Sequence, residues 1–361
     1  MLEFYKDKKV LITGHTGFKG TWLTKILVMA GADVLGYSRC SEKDPSLFKL
    51  SGVEKDITHM KGDIRDYDSL LKAFRTFRPE FVFHLAAQPI VRESYVNPRE
   101  TYEINLMGTV NVLEAIRQTA SVKSAVIVTT DKVYRNDESG REFREDDVLD
   151  GFDPYSNSKS CAELATASYK RSFPDLPPIS TARAGNVIGG GDFSKDRIIP
   201  DCVRAVQKGE PITVRNPHSI RPYQHVLEPL FAYLLIAQKQ TENPALAGSY
   251  NIGPDDCDCI TTGELVDLFC KAWGDGAHWI DHSEPDAPHE AGFLKLDSSL
   301  MKQTFGWEPK WHIEECMEHV IRFSAKWANG MSLRNVMEQD ICAYESYLGR
   351  SRNEVFDMRK R

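Results

Sequence analysis

The feature that most constrains this chain is a glycine-rich stretch near its start, VLITGHTGFKGTWLTKIL. Gly14, Gly17 and Gly20 have the spacing G-x-x-G-x-x-G and separate an apolar run from a segment with helical periodicity. A loop for a nucleoside triphosphate would carry its lysine directly after the last glycine, whereas Lys19 precedes Gly20. A strand, a glycine turn and a helix start in this order instead direct backbone N–H groups at a pyrophosphate. The stretch predicts dinucleotide binding, with an ordinary strand-to-helix turn as the alternative.

Apolar runs alternate with helical segments through the first half of the chain. ADVLGYS, DITHMKGDI, FVFHLAA and SAVIVTT have the composition of strands, and further strands are predicted in STARAGNVIG and GSYNIG. Continuous apolar strands separated by helices are typical of a parallel sheet covered on both faces. We therefore predict an α/β fold with a doubly wound parallel sheet, whose ligands bind beyond the carboxyl ends of the strands.

The second half of the chain has a different texture. A loop, GGGDFSKDRIIP, leads into a helix, and TTGELVDLFCKAW and IEECMEHVIRFSAKWANG have helical patterns. We expect residues 1–182 with about 222–253 to form the dinucleotide-binding domain. Residues 183–221 and 254–361 would form a smaller, mostly C-terminal domain that binds the substrate, with a cleft between the two.

Bulk composition narrows the class of protein. The 361 residues are 41% hydrophobic and 27% charged, as in ordinary globular proteins. A net charge of −7 argues against non-specific binding of nucleic acid. The N-terminus, MLEFYKDKKV, lacks a signal-peptide core, and no apolar run has membrane length. We expect a cytoplasmic protein that binds neither nucleic acid nor membrane.

The metal-binding residue types do not form a recognisable pattern. The eight cysteines include no C-x-x-C pair, and Cys257 and Cys259 form one C-x-C without a second pair. His278 and His282 stand four apart but lack a third ligand at metal spacing. The expectation is reduced, mostly structural thiols and no metal.

Two further segments carry candidate catalytic groups. TTDKVY follows an apolar run, and YSNSK opens a helical stretch in which Tyr155 and Lys159 share one face. A nearby ammonium lowers the pKa of a phenol from about 10, so Tyr155 could act as a base. Alone, Y-x-x-x-K usually marks a solvated helix face. Its position after the glycine turn and several strands favours a catalytic pair.

At this point the chain resembles a known family, the extended short-chain dehydrogenase/reductases that act on nucleotide-linked sugars. The resemblance covers nearly the whole chain and rests on TGHTGFKG, GDIRD, HLAAQ, YEINLMGT, TTDKVY, YSNSK, RAGNVIGGGD and FGWEPKW. It implies a Rossmann-type sheet with a smaller substrate-binding domain. The triplet Thr130–Lys132 resembles the T-D-E of sugar 4,6-dehydratases, and lysine in third place, with PHEA and GWEPKW, resembles the CDP-glucose 4,6-dehydratases.

The resemblance implies a reaction in three steps with NAD as cofactor. Tyr155, assisted by Thr130 and Lys159, takes the proton of the sugar 4-hydroxyl while hydride leaves C4. Water is then lost across C5 and C6, with Asp131 protonating the departing hydroxyl, and the hydride returns to C6. The role of Lys132 stays open: a C5 base with a depressed pKa, a stabiliser of the enolate, or the partner of Asp131 in a salt-bridged strand end.

The resemblance also implies where the ligands bind. The cofactor residues would be Gly14, His15, Gly17, Phe18, Lys19 and Gly20 at the pyrophosphate, Ser38 and Arg39 at the second strand end, Asp63 and Ile64 at the adenine, Leu85, Ala86, Ala87 and Gln88 at the ribose and nicotinamide, Asn105 as support, and Thr129, Tyr155 and Lys159. The substrate residues would be Asn186, Arg215, Arg221 and His289, where arginine forks suit a diphosphate.

Two departures from the family pattern concern the cofactor. His15 stands at a usually small position, so its ring could crowd the diphosphate and weaken binding. The second strand ends in Ser38-Arg39, with no carboxylate for a ribose 2′-hydroxyl. Arg39 would suit the 2′-phosphate of NADP, or it stacks on adenine, whereas the resemblance implies NAD.

Other functions and the assembly state follow from the same resemblance. A nucleotide-sugar 4-epimerase would share Tyr155 and Lys159 but not need Asp131 and Lys132. A 4,6-dehydratase for another nucleotide-sugar is a second alternative, and a cofactor-binding regulator is a third. Family members pair through two long helices each, so a homodimer is expected, or a tetramer built from it.

Overall fold

The computed structural model describes residues 1–39, 45–283 and 291–350. Its strands, in chain order, are β1 (Lys9–Thr13), β2 (Asp33–Ser38), β3 (Thr58–Lys61), β4 (Phe81–His84), β5 (Ser124–Val128), β6 (Ile179–Ala184), β7 (Val187–Ile188), β8 (Ile212–Val214), β9 (Ile220–Pro222), β10 (Gln224–His225), β11 (Ser249–Ile252), β12 (Cys259–Thr261) and β13 (Trp279–Asp281).

The helices cover the sheet and extend the C-terminal part of the chain. They are α1 (Phe18–Met29), α2 (Leu47–Ser51), α3 (Tyr67–Phe77), α4 (Val91–Val96), α5 (Pro98–Tyr102), α6 (Gly108–Arg117), α7 (Pro154–Ser172), α8 (Ile198–Lys208), α9 (Leu227–Glu242), α10 (Thr262–Trp273), α11 (Ser299–Phe305), α12 (Ile313–Ala328) and α13 (Leu333–Glu345). None of the helices in the described part of the chain is both long and apolar enough to cross a bilayer.

Seven strands form one parallel sheet in the order β11-β6-β5-β4-β1-β2-β3. The strand order reverses between β1 and β4, which is where such sheets bind their ligands. Alternate residues of β1 lie in different apolar clusters: Val10 and Ile12 pack with α1 and α9, and Leu11 packs with α3 and α6. The predicted doubly wound parallel sheet, with helices on both faces, is confirmed.

The glycine turn has the geometry that its spacing predicts. Gly14 has a φ of 78° and donates its N–H to Tyr37 O at 2.9 Å. A Cβ on Gly20 would lie 2.2 Å from Gly14 O, so no larger residue fits where α1 crosses the turn. Gly17 precedes the first residue of α1, and this puts the start of the helix at the carboxyl end of β1.

Three two-stranded pairs lie outside the main sheet: β7 with β10, β9 with β12, and β8 with β13. The segment 222–253 contributes α9, which packs on β5, and β11, which completes the main sheet beside β6. The predicted division into residues 1–182 with about 222–253, and 183–221 with 254–361, stays a prediction.

Candidate active site

A cavity of about 550 Å³ opens beyond the carboxyl ends of β5 and β6. The start of α7, the loop before α8 and the short strands β8 and β9 contribute to its wall. The cavity is lined by residues from the predicted catalytic, cofactor-binding and substrate-binding sets. They are Lys19, Thr129, Thr130, Asp131, Lys132, Tyr155, Asn186, Arg215 and Arg221. The remaining predicted substrate residue, His289, lies outside the described residues. The fold thus brings distant segments of the sequence to one site.

The catalytic acid candidate lies in a short helical turn directly after β5. Asp131 is 2% exposed, and its Oδ1 accepts a hydrogen bond from Thr130 Oγ1 at 2.9 Å. Its Oδ2 has no hydrogen-bond partner among the described residues. The site therefore holds a buried carboxyl with one oxygen available to a ligand, and the interpretation as a salt bridge between Asp131 and Lys132 is not supported.

Burial raises the pKa of the Asp131 carboxyl, although Lys132, Thr130 and Arg221 act in the opposite direction. Asp131 lines the cavity, and Gly185 packs close to it, since a Cβ there would lie 3.3 Å from Asp131 Oδ2 and 2.5 Å from Pro222 Cγ. A raised pKa makes a carboxyl group easier to protonate, and a protonated carboxyl that borders the cavity can protonate a leaving hydroxyl.

Tyr155 and Lys159 lie one turn apart near the start of α7, and both are buried. Lys159 Nζ donates to Val128 O at 3.1 Å, which fixes α7 to the end of β5. Burial raises the pKa of Tyr155 to about 12, while a hydrogen bond with Thr130 opposes the rise. Burial also lowers the pKa of Lys159 to about 8, against the effect of Glu163. The expected lowering of the Tyr155 pKa by Lys159 is therefore wrong here, because desolvation dominates.

A buried charge pair supports this end of β5 from within. Glu163 Oε1 accepts from Thr129 Oγ1 at 2.5 Å, and its Oε2 accepts from Arg183 at 2.8 Å and from Thr181 Oγ1 at 2.7 Å. Glu163 and Arg183 are almost fully buried. The hydroxyl of Thr129, a residue predicted to bind the cofactor, is therefore hydrogen-bonded to the protein itself. Sequence analysis missed Glu163, although it stands four residues after Lys159 on the same helix.

The glycine turn meets the segment after β4 at the switch point of the sheet. A Cβ on Gly14 would lie 2.6 Å from Ala86 N, so the two backbones touch. Asn105, in a π-helical turn between α5 and α6, accepts from Gln88 N at 2.8 Å and donates to Gln88 O at 3.0 Å. Of the other residues predicted here, Phe18 and Gly20 lie in the first turn of α1, Ile64 follows β3, and Leu85 and Ala87 follow β4.

These contacts fit a dinucleotide. The start of α1, with Gly17 as its first flanking residue, has no side-chain cap from any described residue. Its first N–H groups and the positive end of the helix dipole therefore face the switch point without a protein carboxylate. A diphosphate is the ligand that such a helix start accepts.

His15 is buried between the glycine turn and the second and third strands. A Cβ on Gly36 would lie 2.3 Å from the His15 ring, and the ring meets Phe48 edge-on with centroids 5.0 Å apart. Its Nε2 lies 2.7 Å from His59 Nδ1. Burial lowers the pKa of His15 to about 3, so the ring is neutral at physiological pH. Crowding of a diphosphate by this ring stays a prediction.

The end of β2 carries charge of both signs. Arg39 is half-exposed, with its guanidinium 3.7 Å from Glu100 and 4.0 Å from Asp63. The Asp63 carboxylate also pairs with Arg65 at 2.7 Å. The Ser38 hydroxyl donates to Arg39 O at 2.9 Å, so it is already engaged within the protein. Two carboxylates therefore lie beside the arginine that could have received a 2′-phosphate.

Three arginine side chains, Arg197, Arg215 and Arg221, line the cavity on the side of the loop before α8 and of β8 and β9. Arg221 is 4% exposed and donates to Ile220 O at 3.0 Å. Arg215 pairs with Asp196 at 2.7 Å. Arg197, which sequence analysis missed, also lines the cavity and pairs with Asp192 at 3.0 Å. A basic residue directly before a helix, in a glycine-rich loop, was the signal that could have found Arg197.

Together these features define a protein class. A glycine turn at the switch point, with Thr130, Asp131 and Tyr155 lining one cavity and Lys159 one turn beyond Tyr155, is the arrangement of an extended short-chain dehydrogenase/reductase. The chain belongs to the GDP-mannose 4,6 dehydratase family, whose profile matches residues 11–320. The family resemblance predicted from the motifs is confirmed.

Curated relatives and solved structures agree with this placement. The chain is 42% identical over 352 residues to the CDP-glucose 4,6-dehydratase of Salmonella typhimurium, covering 95% of this chain and 98% of that protein. It is 25% identical to a probable dTDP-glucose 4,6-dehydratase of Sinorhizobium fredii, covering 88% and 92%.

Two solved structures illustrate the shared fold. The dTDP-glucose 4,6-dehydratase of Bacillus anthracis, in complex with NAD, superposes with a TM-score of 0.75 at 20% identity, covering 90% and 98% of the two chains. The UDP-glucose 4-epimerase of Thermus thermophilus, also in complex with NAD, gives 0.77 at 26% identity, covering 88% and 99%.

Proposed function

We propose that this chain is an NAD-dependent 4,6-dehydratase that converts CDP-glucose to CDP-4-keto-6-deoxyglucose. The observation that carries the proposal is the buried Asp131 carboxyl, with one oxygen unpaired among the described residues, in the same cavity as Tyr155. An epimerase needs a base for the 4-hydroxyl but no acid for a leaving 6-hydroxyl. The 42% identity to a CDP-glucose 4,6-dehydratase supports the choice of nucleotide.

NAD is the proposed cofactor. The start of α1 would bind its diphosphate, Asp63 and Ile64 would lie at the adenine, and the segment Leu85–Gln88 would flank the ribose and nicotinamide. Glu100 and Asp63 beside Arg39 disfavour the added charge of a 2′-phosphate, which favours NAD over NADP. When bound, NAD takes up the hydride that leaves C4 and supplies the hydride that enters C6.

The chain's own residues move the protons. Tyr155 accepts the proton of the 4-hydroxyl, with Thr130 hydrogen-bonded to the phenol and Lys159 held one turn away. Because burial opposes the phenolate, positive charge close to Tyr155 is needed, and Arg197 acts in that direction. Asp131 then delivers its proton to the departing 6-hydroxyl.

In the proposed reaction, Lys132 acts between the steps assigned to Tyr155 and Asp131. The new ketone at C4 acidifies the C5 proton, and removal of that proton produces an enolate. Lys132 follows Asp131 directly and lines the same cavity, so its ammonium can stabilise the enolate oxygen. The C5 proton also needs an acceptor: the neutral amine of Lys132 would take it and, once protonated, would stabilise the enolate oxygen.

The nucleotide part of the substrate would lie along the basic wall. Asn186, Arg215 and Arg221 line the cavity on the side of β7, β8 and β9. Guanidinium forks bind phosphate oxygens in a bidentate manner, and two arginines match a diphosphate in charge. Arg197 adds a third cation that sequence analysis did not assign.

The direct test is an assay of purified protein with CDP-glucose and a trace of NAD. We expect a 4-keto-6-deoxy product, detected by mass spectrometry as loss of water, with no net reduction of NAD. dTDP-, UDP- and GDP-linked sugars in parallel would reveal a different nucleotide preference. A C4 epimer without loss of water would overturn the proposal in favour of a 4-epimerase.

We also propose a homodimer. The continuous helix formed by α5, the π turn and α6 packs beside α7, and large apolar side chains are exposed there. Met107 is 51% exposed and Leu164 is 53% exposed. Apolar side chains at matching positions of two parallel helices are what a pairing surface requires. The cytoplasmic location stays a prediction.

A further inference from the structure

Three metal-ligating side chains meet at the start of α12, away from the residues that line the cavity. Cys257 and Asp258 belong to a short helical turn before β12, and His312 directly precedes α12. One potential ligand atom from each lies within 4.8 Å of the other two. We propose that Cys257, Asp258 and His312 bind a zinc-type divalent ion, with water completing the coordination.

The distances fit tetrahedral coordination. His312 Nδ1 lies 3.8 Å from Cys257 Sγ, 3.1 Å from Asp258 Oδ1 and 3.2 Å from Asp258 Oδ2. With metal bonds of about 2.3 Å to sulfur and about 2.0 Å to nitrogen and oxygen, a tetrahedron has ligand–ligand edges of about 3.3 to 3.6 Å. The distances from His312 Nδ1 therefore lie within a few tenths of an ångström of these edges, and the ligand atoms of Cys257 and Asp258 are no more than 4.8 Å apart.

The donor set selects the kind of ion. Thiolate, imidazole and carboxylate together are typical ligands of Zn²⁺ and of its spectroscopic substitute Co²⁺. Mg²⁺ and Ca²⁺ prefer sites built from oxygen alone. A site with one sulfur and one nitrogen among three ligands is therefore of the zinc type.

Burial divides the site into a fixed part and an accessible part. Asp258 is 2% exposed, and its Oδ1 accepts from Ile313 N at 3.0 Å, which holds the carboxylate at the start of α12. Cys257 is exposed, and the His312 side chain is 38% exposed. One ligand is pre-positioned while two face the solvent, so an ion and its water ligand can enter.

The sequence conceals this arrangement. Cys257 and His312 are 55 residues apart, and the C-x-C spacing draws attention to Cys259 instead. The Cys259 thiol lies 3.8 Å from Asp255 O and does not belong to the cluster. The expectation of no metal, drawn from spacing, does not take into account ligands that only the fold brings together.

An ion here would connect α12 to β12, the strand that pairs with β9, and Arg221 of β9 lines the active-site cavity. β12 begins directly after Asp258 and pairs with β9, in which Arg221 lies opposite Ile260. The ion would fasten the start of β12 to α12. It would act on the protein's stability and take no part in the reaction.

The test is titration of untagged, chelator-treated protein with Co²⁺, followed by absorbance. A tetrahedral thiolate site gives a charge-transfer band in the near ultraviolet and intense visible bands, and equimolar Zn²⁺ should abolish both. We expect one ion per chain. Cys257→Ser should remove the charge-transfer band, and His312→Gln should weaken binding by more than the about 10- to 100-fold that loss of an outer-shell partner costs, because it removes a direct ligand.

Cys342→Ser is the matched control, because Cys342 is also exposed but lies on α13, outside the cluster. It should leave the spectrum unchanged. Absence of Co²⁺ binding would overturn the proposal, and so would a spectrum that is the same in Cys257→Ser as in the parent protein. Circular dichroism of each variant checks that a lost band reflects a lost ligand and not a lost fold.

Discussion

Thr129 Oγ1 donates to Glu163 Oε1 at 2.5 Å, and this bond joins the residue that follows β5 to the helix that carries Tyr155 and Lys159. Glu163 is at the same time the buried partner of Arg183. The carboxylate therefore holds the catalytic strand end in place and keeps Lys159 more basic than burial alone would leave it.

Replacing Glu163 by glutamine should destabilise the protein by about 3 kcal/mol, because Arg183 would keep its charge in the interior without a partner. Urea unfolding measures the loss. Glu242→Gln, which breaks an exposed pair with Lys239, is the control and should change stability by less than about 1 kcal/mol.

The same Glu163→Gln variant should alter the pH profile. Since Glu163 raises the pKa of Lys159, its loss should lower that pKa further below about 8. The alkaline limb of kcat/KM should move to lower pH if protonated Lys159 is required. An unmoved limb would show that Glu163 has only a structural role.

Asp131→Asn should stop the reaction after C4 oxidation. The amide has the same shape but cannot protonate the leaving hydroxyl, so product formation should fall by about 10²- to 10⁴-fold. Stopped-flow absorbance should record accumulation of reduced nicotinamide, and solvent deuterium should enter C5 if Lys132 still assists that exchange. Tyr155→Phe should instead slow every step. Turnover of Asp131→Asn near the parent rate would contradict the assigned role.

Asp131→Asn should also stabilise the folded protein at neutral pH. The folded pKa of Asp131 is raised above its unfolded value of about 3.9, so the unfolded chain loses this proton first. The native state is therefore penalised as pH rises from the unfolded pKa through the folded pKa, and asparagine removes the penalty. The urea midpoints at pH 7 and pH 4 should differ less for Asp131→Asn than for the parent protein. The same pH dependence in both proteins would contradict this prediction.

His15→Gly should separate packing from cofactor binding. Loss of a buried ring that contacts Phe48 and His59 should destabilise the protein by about 2 to 4 kcal/mol. If the ring crowds the diphosphate, NAD should nevertheless bind more tightly in a calorimetric titration. His59→Ala is the control, since it disturbs the same packing without clearing the glycine turn. Weaker NAD binding by His15→Gly would mean that the ring makes a useful contact.

Leu164→Glu should dissociate the proposed dimer, because it puts a charge on the exposed apolar surface of α7. Light scattering coupled to size exclusion gives the mass. Leu300→Glu is the matched control: Leu300 is 41% exposed on α11, away from that surface. An unchanged mass for Leu164→Glu would exclude pairing through this face.

Local pattern was enough to predict the main sheet but not its accessories. β1, β2, β4 and β5 are runs of apolar residues between helices, and burial on both faces of a sheet leaves that signature in the sequence. The pairs β9–β12 and β8–β13 have three residues per strand and join distant segments. Such short strands carry no periodicity of their own, so only the folded chain reveals them.

The candidate site was predictable in its residues and less so in its electrostatics. The motifs identified Asp131, Tyr155 and Arg221, which line one cavity. The direction of the Tyr155 pKa was not predictable, because it depends on how completely the phenol is desolvated. Arg197 was missed because its loop signals only the start of a helix, and the loop sequence does not show that the side chain enters the cavity.

The position of the edge strand β11 late in the chain has a consequence for folding during synthesis. The sheet needs Ser249–Ile252 to pair with β6, yet the residues that close the glycine turn and the catalytic pair precede residue 160. A ribosome must therefore release about two thirds of the chain before the edge of β6 is covered. Until then the nascent polypeptide exposes the unpaired edge of β6, the kind of surface through which incompletely folded chains aggregate.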